Sequence, residues 1–153
     1  MRTLELKIPP PVVALLLASA MWGIALLTPP IQVPGAYRLA AAVAIALLGA
    51  GFDLAAVITF LRRHTTVNPM KPQNTSVLVC SGVYKLTRNP MYAGLLCFLV
   101  AWAVYLSSAW ALLGPVAFVL YINRFQIRPE ENVLLIKYGA RYSAYKSRVR
   151  RWL

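Results

Sequence analysis

Two polar segments flank a long apolar stretch and hold most of the side chains able to do chemistry. The first, residues 81–94, reads SGVYKLTRNPMYAG; the second, residues 128–135, reads RPEENVLL. The second contains Glu130 and Glu131, two of only four acidic residues in a chain of 153. Adjacent carboxylates accept several hydrogen bonds, and an arginine such as Arg88 clamps a carboxylate. Tyrosines such as Tyr84, Tyr92 and Tyr142 offer ring faces to cations. If the apolar stretch is a helical hairpin, both segments lie at one membrane face, where a small polar cofactor can meet a lipid-dissolved substrate.

Each of these residues also has a plainer reading. Pro129 suits the first turn of a helix, so Glu130 and Glu131 can simply complement its dipole, worth ~0.3–1 kcal/mol each. Asn89 and Pro90 suit an N-cap and a first helical position. A helix end opened in that way also points N–H groups at an anion. Arg88 can be a membrane-surface anchor. Residue types alone leave both readings standing.

The elements that would position these side chains follow from composition. The chain is 59% hydrophobic and 13% charged, with a mean hydropathy of +0.62, which places it in a bilayer. The net charge of +12 does not indicate a nucleic-acid partner, because Lys and Arg cluster as they do in the cytoplasmic loops of membrane proteins. Cys80 and Cys97 form no CxxC or zinc spacing. Cys97 reads as a small core residue; Cys80 is either an accessible thiol or an ordinary buried one. His64 is the only histidine, so no metal site built from several histidines is expected.

The spacing predicts an all-α integral membrane protein with four transmembrane helices and a cytoplasmic C-terminal helical segment. Residues 1–61 supply two spans, over 12–27 and 39–61. The first also resembles a signal peptide; retention as a helix is the expectation. Asp53 interrupts the second and is expected to face other helices or lie near the cytoplasmic side, with an interhelical hydrogen bond or a role in the site. Gly49 and Gly51 would permit close helix approach. Residues 62–90 read as a cytoplasmic loop carrying the first motif, with Val77-Leu78-Val79 packing under it or touching the membrane. Residues 91–123 read as a transmembrane hairpin turning at 106–109, with Gly114-Pro115 as a kink and Trp102, Tyr105 and Trp110 as an interfacial belt. Residues 124–153 read as an interfacial cofactor-binding segment: one helix stopping at Gly139, then a second over 141–152. Both termini then lie in the cytoplasm, at the inner membrane if the source is bacterial.

The pattern Gly82-x-Tyr84-x-x-x-Arg88-Asn89-Pro90-x-Tyr92-x-Gly94 resembles the signature of the isoprenylcysteine carboxyl methyltransferase family. Glu130-Glu131, Tyr138-Gly139 and Tyr142-x-x-Tyr145 resemble its C-terminal region, and Thr65 to Pro69 resembles its bacterial members. The resemblance covers about Arg63 to Leu153, and phospholipid methyltransferases share the same plan. It implies S-adenosylmethionine as methyl donor, bound without a Rossmann fold, and S-adenosylhomocysteine as product. The chain has no GxGxxG after a strand, in agreement. The acceptor implied is lipid-like or prenylated, entering laterally between the hairpin and the second helix. Phospholipid-amine methylation and a non-catalytic scaffold are the alternatives.

By the same resemblance, Arg88, Asn89 and Glu131 are expected at the catalytic centre. Tyr84, Arg88, Asn89, Pro90, Tyr92, Gly94, Arg128, Glu130, Glu131 and Tyr142 are expected to bind the cofactor, with no metal. Glu131 can accept from the donor's ammonium or ribose hydroxyls, Arg88 or Arg128 can clamp its carboxylate, and the tyrosines can cover adenine or sulfonium. Eukaryotic members commonly carry His where Asn89 stands; Asn89 takes no proton near neutral pH, and His64 lies far along the chain. Tyr145 and Trp152 read as packing residues, and Arg148, Arg150 and Arg151 as lipid-headgroup contacts.

Overall fold

A computed structural model describes residues 5–62 and 78–153. The expectations for Arg63, His64, Thr65 to Pro69 and Val77 lie outside the described residues. The helices are α1 (Pro10–Leu27), α2 (Gly35–Arg62), α3 (Pro90–Leu106), α4 (Leu113–Ile122), α5 (Arg128–Tyr138) and α6 (Ala140–Arg148). Short 3-10 turns cover Gly82–Lys85 and Ala109–Leu112, and a π-helical turn, Asn123–Ile127, joins α4 to α5. No strand occurs among the described residues. α1, α2 and the continuous run Ala109–Tyr138 are long and apolar enough to cross a membrane, and α3 is a shorter apolar helix of 17 residues. The chain is an all-α membrane protein. Leu15, Leu16, Leu47, Leu48 and Leu120 point outward, as suits helices solvated by lipid tails rather than water.

The helices alternate up and down. At one end, the linker after α1 is tied to the α3–α4 turn. Ser107 adopts a left-handed conformation (φ 54°); its carbonyl accepts from the Ile31 amide at 2.6 Å and its hydroxyl donates to the Ile31 carbonyl at 2.7 Å. Thr28 and Ser108 share a hydroxyl hydrogen bond of 2.9 Å. At the other end, Leu6 N–H donates to the Phe125 carbonyl at 3.1 Å, and Arg124 pairs with Glu5 at 2.9 Å. Both polar motifs therefore sit at one end of the bundle. α5 carries Arg128, Glu130, Glu131 and Lys137, so the apolar part of the last span stops near Ile127. The 30-residue run rises ~45 Å against a hydrocarbon core of ~30 Å, which leaves α5 outside.

α2 packs chiefly on α3; its buried residues are Ala42, Gly49 and Ala56, the last in a small core with Val79 and Tyr84. A Cβ on Gly49 would stand 2.9 Å from the Gly94 carbonyl oxygen, and a Cβ on Gly94 would stand 2.9 Å from that of Gly49. At that level the two helices touch backbone to backbone. Gly51 has nothing within 4 Å, so only one of the two expected glycines makes an approach. Asp53 does face α3 near the motif end, with its Oδ1 buried and without a hydrogen-bond partner.

Three further expectations are corrected. Gly114 and Pro115 do not kink the second arm; they lie in the first turn of α4, where a Cβ on Gly114 would fall 2.2 Å from Met21 Sδ. The helical distortion is at Asn123–Ile127 instead. Of the three belt aromatics only Trp102 departs: its indole N–H donates to the Ala18 carbonyl at 3.0 Å, between helices, while Tyr105, stacked on it with Arg38 over its ring, and Trp110 are exposed near the turn. The helix read over 141–152 stops at Arg148, and the chain continues extended. We predict that Gly94→Ala destabilises the fold by ~1–3 kcal/mol through overpacking, whereas Gly51→Ala is neutral or stabilising; thermal unfolding in detergent distinguishes the two.

Candidate functional site

The site begins with a missing hydrogen bond. Pro129 has no N–H, and its ring clashes with the carbonyl four residues back in a regular helix. That carbonyl belongs to Phe125, and it is turned out to accept the Leu6 N–H. The wide π turn at Asn123–Ile127 absorbs the mismatch, with Gln126 and Ile127 fully buried; such turns recur at functional sites. Gly139 then ends α5 at φ 50°, a conformation glycine adopts freely, and α6 turns back.

Beyond α6, residues 149–153 run over the start of α3. The Arg88 amide donates to the Arg150 carbonyl at 3.0 Å. The Arg151 carbonyl accepts from Thr87 Oγ1 at 3.1 Å and from Asn89 Nδ2 at 2.8 Å. Trp152 Nε1 donates to Asn123 Oδ1 at 3.2 Å. Asn89 stands at the N-cap position with Pro90 next, as expected, but its side chain makes no cap hydrogen bond. Its amide is committed to residue 151 instead.

Glu131 is the centre of charge. Arg151 grips it at both oxygens, Nε to Oε1 at 3.1 Å and Nη2 to Oε2 at 2.7 Å. Arg88 Nη2 lies 3.1 Å from Oε1, and Lys146 Nζ 3.7 Å from Oε2. The Arg88 and Glu131 side chains are each 9% exposed. Three cations thus surround one buried carboxylate. The Nε and Nη1 of Arg88 are buried with no acceptor, so the cluster has donors left over.

Burial works against ionisation of Glu131, but the Arg151 hydrogen bonds and the charges of Arg88, Arg151 and Lys146 outweigh it and hold the carboxyl below its usual range. Its neighbour is the opposite case. Burial pushes Glu130 up to about 8, against a hydrogen bond from Tyr92 Oη, with the Glu131 charge adding to the rise. Adjacent carboxyls therefore differ in protonation near neutral pH. Tyr142, buried beside Arg88 and Glu131, is raised to about 12, mainly by burial. Cys80 is half-buried, and burial raises its thiol against the opposing Arg141 charge; this favours the inert reading of that thiol.

Of the residues expected from sequence, the structure brings Arg88, Asn89, Glu131 and Tyr142 together, with Tyr92 and Glu130 as an adjoining pair. The others make their own contacts elsewhere, though Tyr84 lies within electrostatic reach of Glu130 and Tyr92. Tyr84 packs edge-on against Phe60 in a separate small core, and its carbonyl accepts from Tyr145 Oη at 2.7 Å. Pro90 is a buried first helical residue, and Gly94 makes the contact with α2. Arg128 is exposed. Glu130 and Glu131 do not sit at a free helix end, since the helix runs unbroken into α5 from residue 123; the dipole reading fails for that reason. Arg151, read as a headgroup contact, is instead the main partner of Glu131. Lys146 and Thr87 were also missed, and only their position near the motifs marks them in sequence.

A carboxyl whose value is depressed on folding contributes stability that is present above its unfolded value and lost as pH falls through the folded one. Glu131→Gln should therefore be less stable than the native chain by ~1–3 kcal/mol at neutral pH. The gap should narrow on acidification below about pH 4. Thermal unfolding across that range checks both.

A profile of the phospholipid methyltransferase family matches residues 37–141. An uncharacterized protein of Haemophilus influenzae is 49% identical over 63 residues, 41% of this chain and 100% of the relative. Protein-S-isoprenylcysteine O-methyltransferase B of Arabidopsis thaliana is 31% identical over 106 residues, 67% of this chain and 52% of the relative. A probable protein-S-isoprenylcysteine O-methyltransferase of Oryza sativa subsp. indica is 35% identical over 97 residues, 61% of this chain and 49% of the relative. The chain spans about half the length of these plant relatives. No solved structure gives a significant match. With the profile covering more than half of the chain, the protein belongs to the phospholipid methyltransferase family and is related to the isoprenylcysteine carboxyl methyltransferases.

Proposed function

We propose that the chain is an integral membrane methyltransferase that uses S-adenosylmethionine to methylate a lipophilic acceptor at the cytoplasmic face. One observation carries the reading: Arg88, nine-tenths buried against Glu131, keeps two guanidinium nitrogens without an acceptor. Buried donors of this kind cost free energy unless a partner arrives. The surplus of cations around Glu131 suits an anionic group such as the donor's carboxylate, and the family membership supplies the reaction class. The residues present therefore fit the donor. Arg88, with Arg151 and Lys146 behind it, would hold its carboxylate; Glu130 and Glu131 would meet its ammonium and ribose hydroxyls; Tyr142 would lie against it.

The bound donor supplies a methyl group on a positively charged sulfur, which leaves as a neutral thioether when a nucleophile takes the methyl. This chain's own part is to position and to exclude water. A carboxylate or thiolate acceptor arrives ionised and needs no base. An amine acceptor must lose a proton, and Glu130, with its value near 8, is the group of matching proton affinity beside the cluster. That observation favours phospholipid-amine methylation as the second reading. Product analysis separates the two, as methyl ester or N-methylated headgroup. We propose further that 1–153 is one membrane domain, with positions 7 and 148 both cytoplasmic.

Calorimetry on the full chain in nanodiscs should show S-adenosylmethionine binding that Glu131→Ala weakens by about a hundredfold or more, with the spans still inserted. Native-like affinity in that variant would remove Glu131 from the site. A folded native chain with no donor binding would favour the scaffold alternative. Cysteines placed at 7 and 148 should react alike with an impermeant label; opposite accessibility would sink the shared-face topology.

A further inference from the structure

Residues 149–153 make more specific contacts than a surface tail needs. The Arg150 carbonyl takes the Arg88 amide, the Arg151 carbonyl takes Thr87 Oγ1 and Asn89 Nδ2, and the Trp152 indole reaches Asn123. Thr87 is fully buried, and besides donating to residue 151 it accepts from the Asn89 amide at 3.2 Å. Three successive residues of the first motif, Thr87, Arg88 and Asn89, thus grip one short extended segment. That grip delivers the Arg151 guanidinium to both oxygens of Glu131 in the second motif. Bidentate pairing fixes the plane of a carboxylate as well as its charge, which a single contact such as that of Arg88 or Lys146 does not do.

We propose that residues 149–153 form a strap that assembles the donor site, with Arg151 as the positioning residue that holds Glu131 in its working orientation and Thr87 and Asn89 as the residues that seat the strap. This rests on the methyl-donor reading of the site. It gives Asn89 a role that needs no titratable side chain. It also explains why Arg88 keeps free donors: Arg151 takes over most of the pairing of Glu131, leaving Arg88 available to an incoming anion.

The charged and titratable groups that face Glu131 are Arg88 before α3, Lys146 and Tyr142 on α6, Arg151 on the strap, and Glu130 beside it on α5. Burial is already the largest single influence on Glu131, and removing Arg151 takes away two of those that oppose it, its hydrogen bonds and its charge, which raises the proton affinity of Glu131. A positioning role therefore predicts a loss that depends on pH, deeper on the acid side, where Glu131 protonates first.

The test titrates S-adenosylhomocysteine, an unreactive probe, into the full chain in nanodiscs from about pH 5.5, above ordinary carboxyl values, to about pH 8.5. Arg151→Gln should weaken binding about tenfold or more at neutral pH, with a larger loss at the acid end, and Arg151→Lys should restore part of it. Unchanged binding, or an equal loss at every pH, would overturn the positioning role. A second measurement needs no donor. Hydrogen exchange at the Arg88 amide, which the strap covers, should be faster in the double variant Thr87→Val, Asn89→Ala; unchanged exchange would overturn the strap. If the native chain binds no S-adenosylhomocysteine at any pH, the methyl-donor reading and the positioning role fall together, and the exchange measurement still decides the strap by itself.

Discussion

The Glu131 carboxylate is the interaction on which the rest of this end of the molecule depends. It is met by Arg88 from the segment before α3, by Lys146 from α6 and by Arg151 from the extended segment beyond it. One buried anion on α5 thereby joins the segment before α3 to the C-terminal stretch 146–151, more than fifty residues further along the chain. Charges so placed lose hydration, and their attraction offsets that loss only where geometry is good and hydrogen bonds are many. The bidentate Arg151 contact meets that condition. The half-exposed Lys146, at 3.7 Å, adds field more than structure.

The bundle is arranged to hold that carboxylate at its rim. Pro129 cannot continue a regular helix, so the chain widens into a π turn, and the freed Phe125 carbonyl is taken by the Leu6 amide. The same proline precedes the two glutamates and sets where they emerge from the last span. On the other side of the site, Gly49 and Gly94 let α2 and α3 touch backbone to backbone, which anchors the helix that begins at Pro90 just after Arg88. Small residues in one pair of helices and a helix-breaking residue in another fix the two walls.

Glu130 and Glu131 show how neighbouring identical groups take different chemistry from their surroundings. Glu131 faces three cations and is ionised. Glu130 is partly buried, bonded to Tyr92, and carries its proton into the neutral range. A protonated carboxyl beside an ionised one offers a bound ligand an O–H donor next to a carboxylate acceptor.

The amino-acid sequence by itself determined the solvent and the plan. Long apolar runs bounded by prolines, and Lys and Arg gathered around them, specify spans and their order, because the bilayer enforces length and satisfied backbone on each segment separately. Local chemistry also made Pro90 a helix start and Gly139 a helix stop legible. Arg88, Glu131 and Tyr142 could be named because they stand in motifs. What only the tertiary structure decided was which side chain meets which. Arg128 and Arg151 are equally basic in sequence, yet one is exposed and the other grips Glu131. Asn89 reads as a cap and is spent on a carbonyl 62 residues away. Gly94 reads as part of a cofactor motif and serves helix contact. Each of these depends on where a distant segment returns, and partners set by long-range packing leave no periodicity or spacing along the chain for a reader to find.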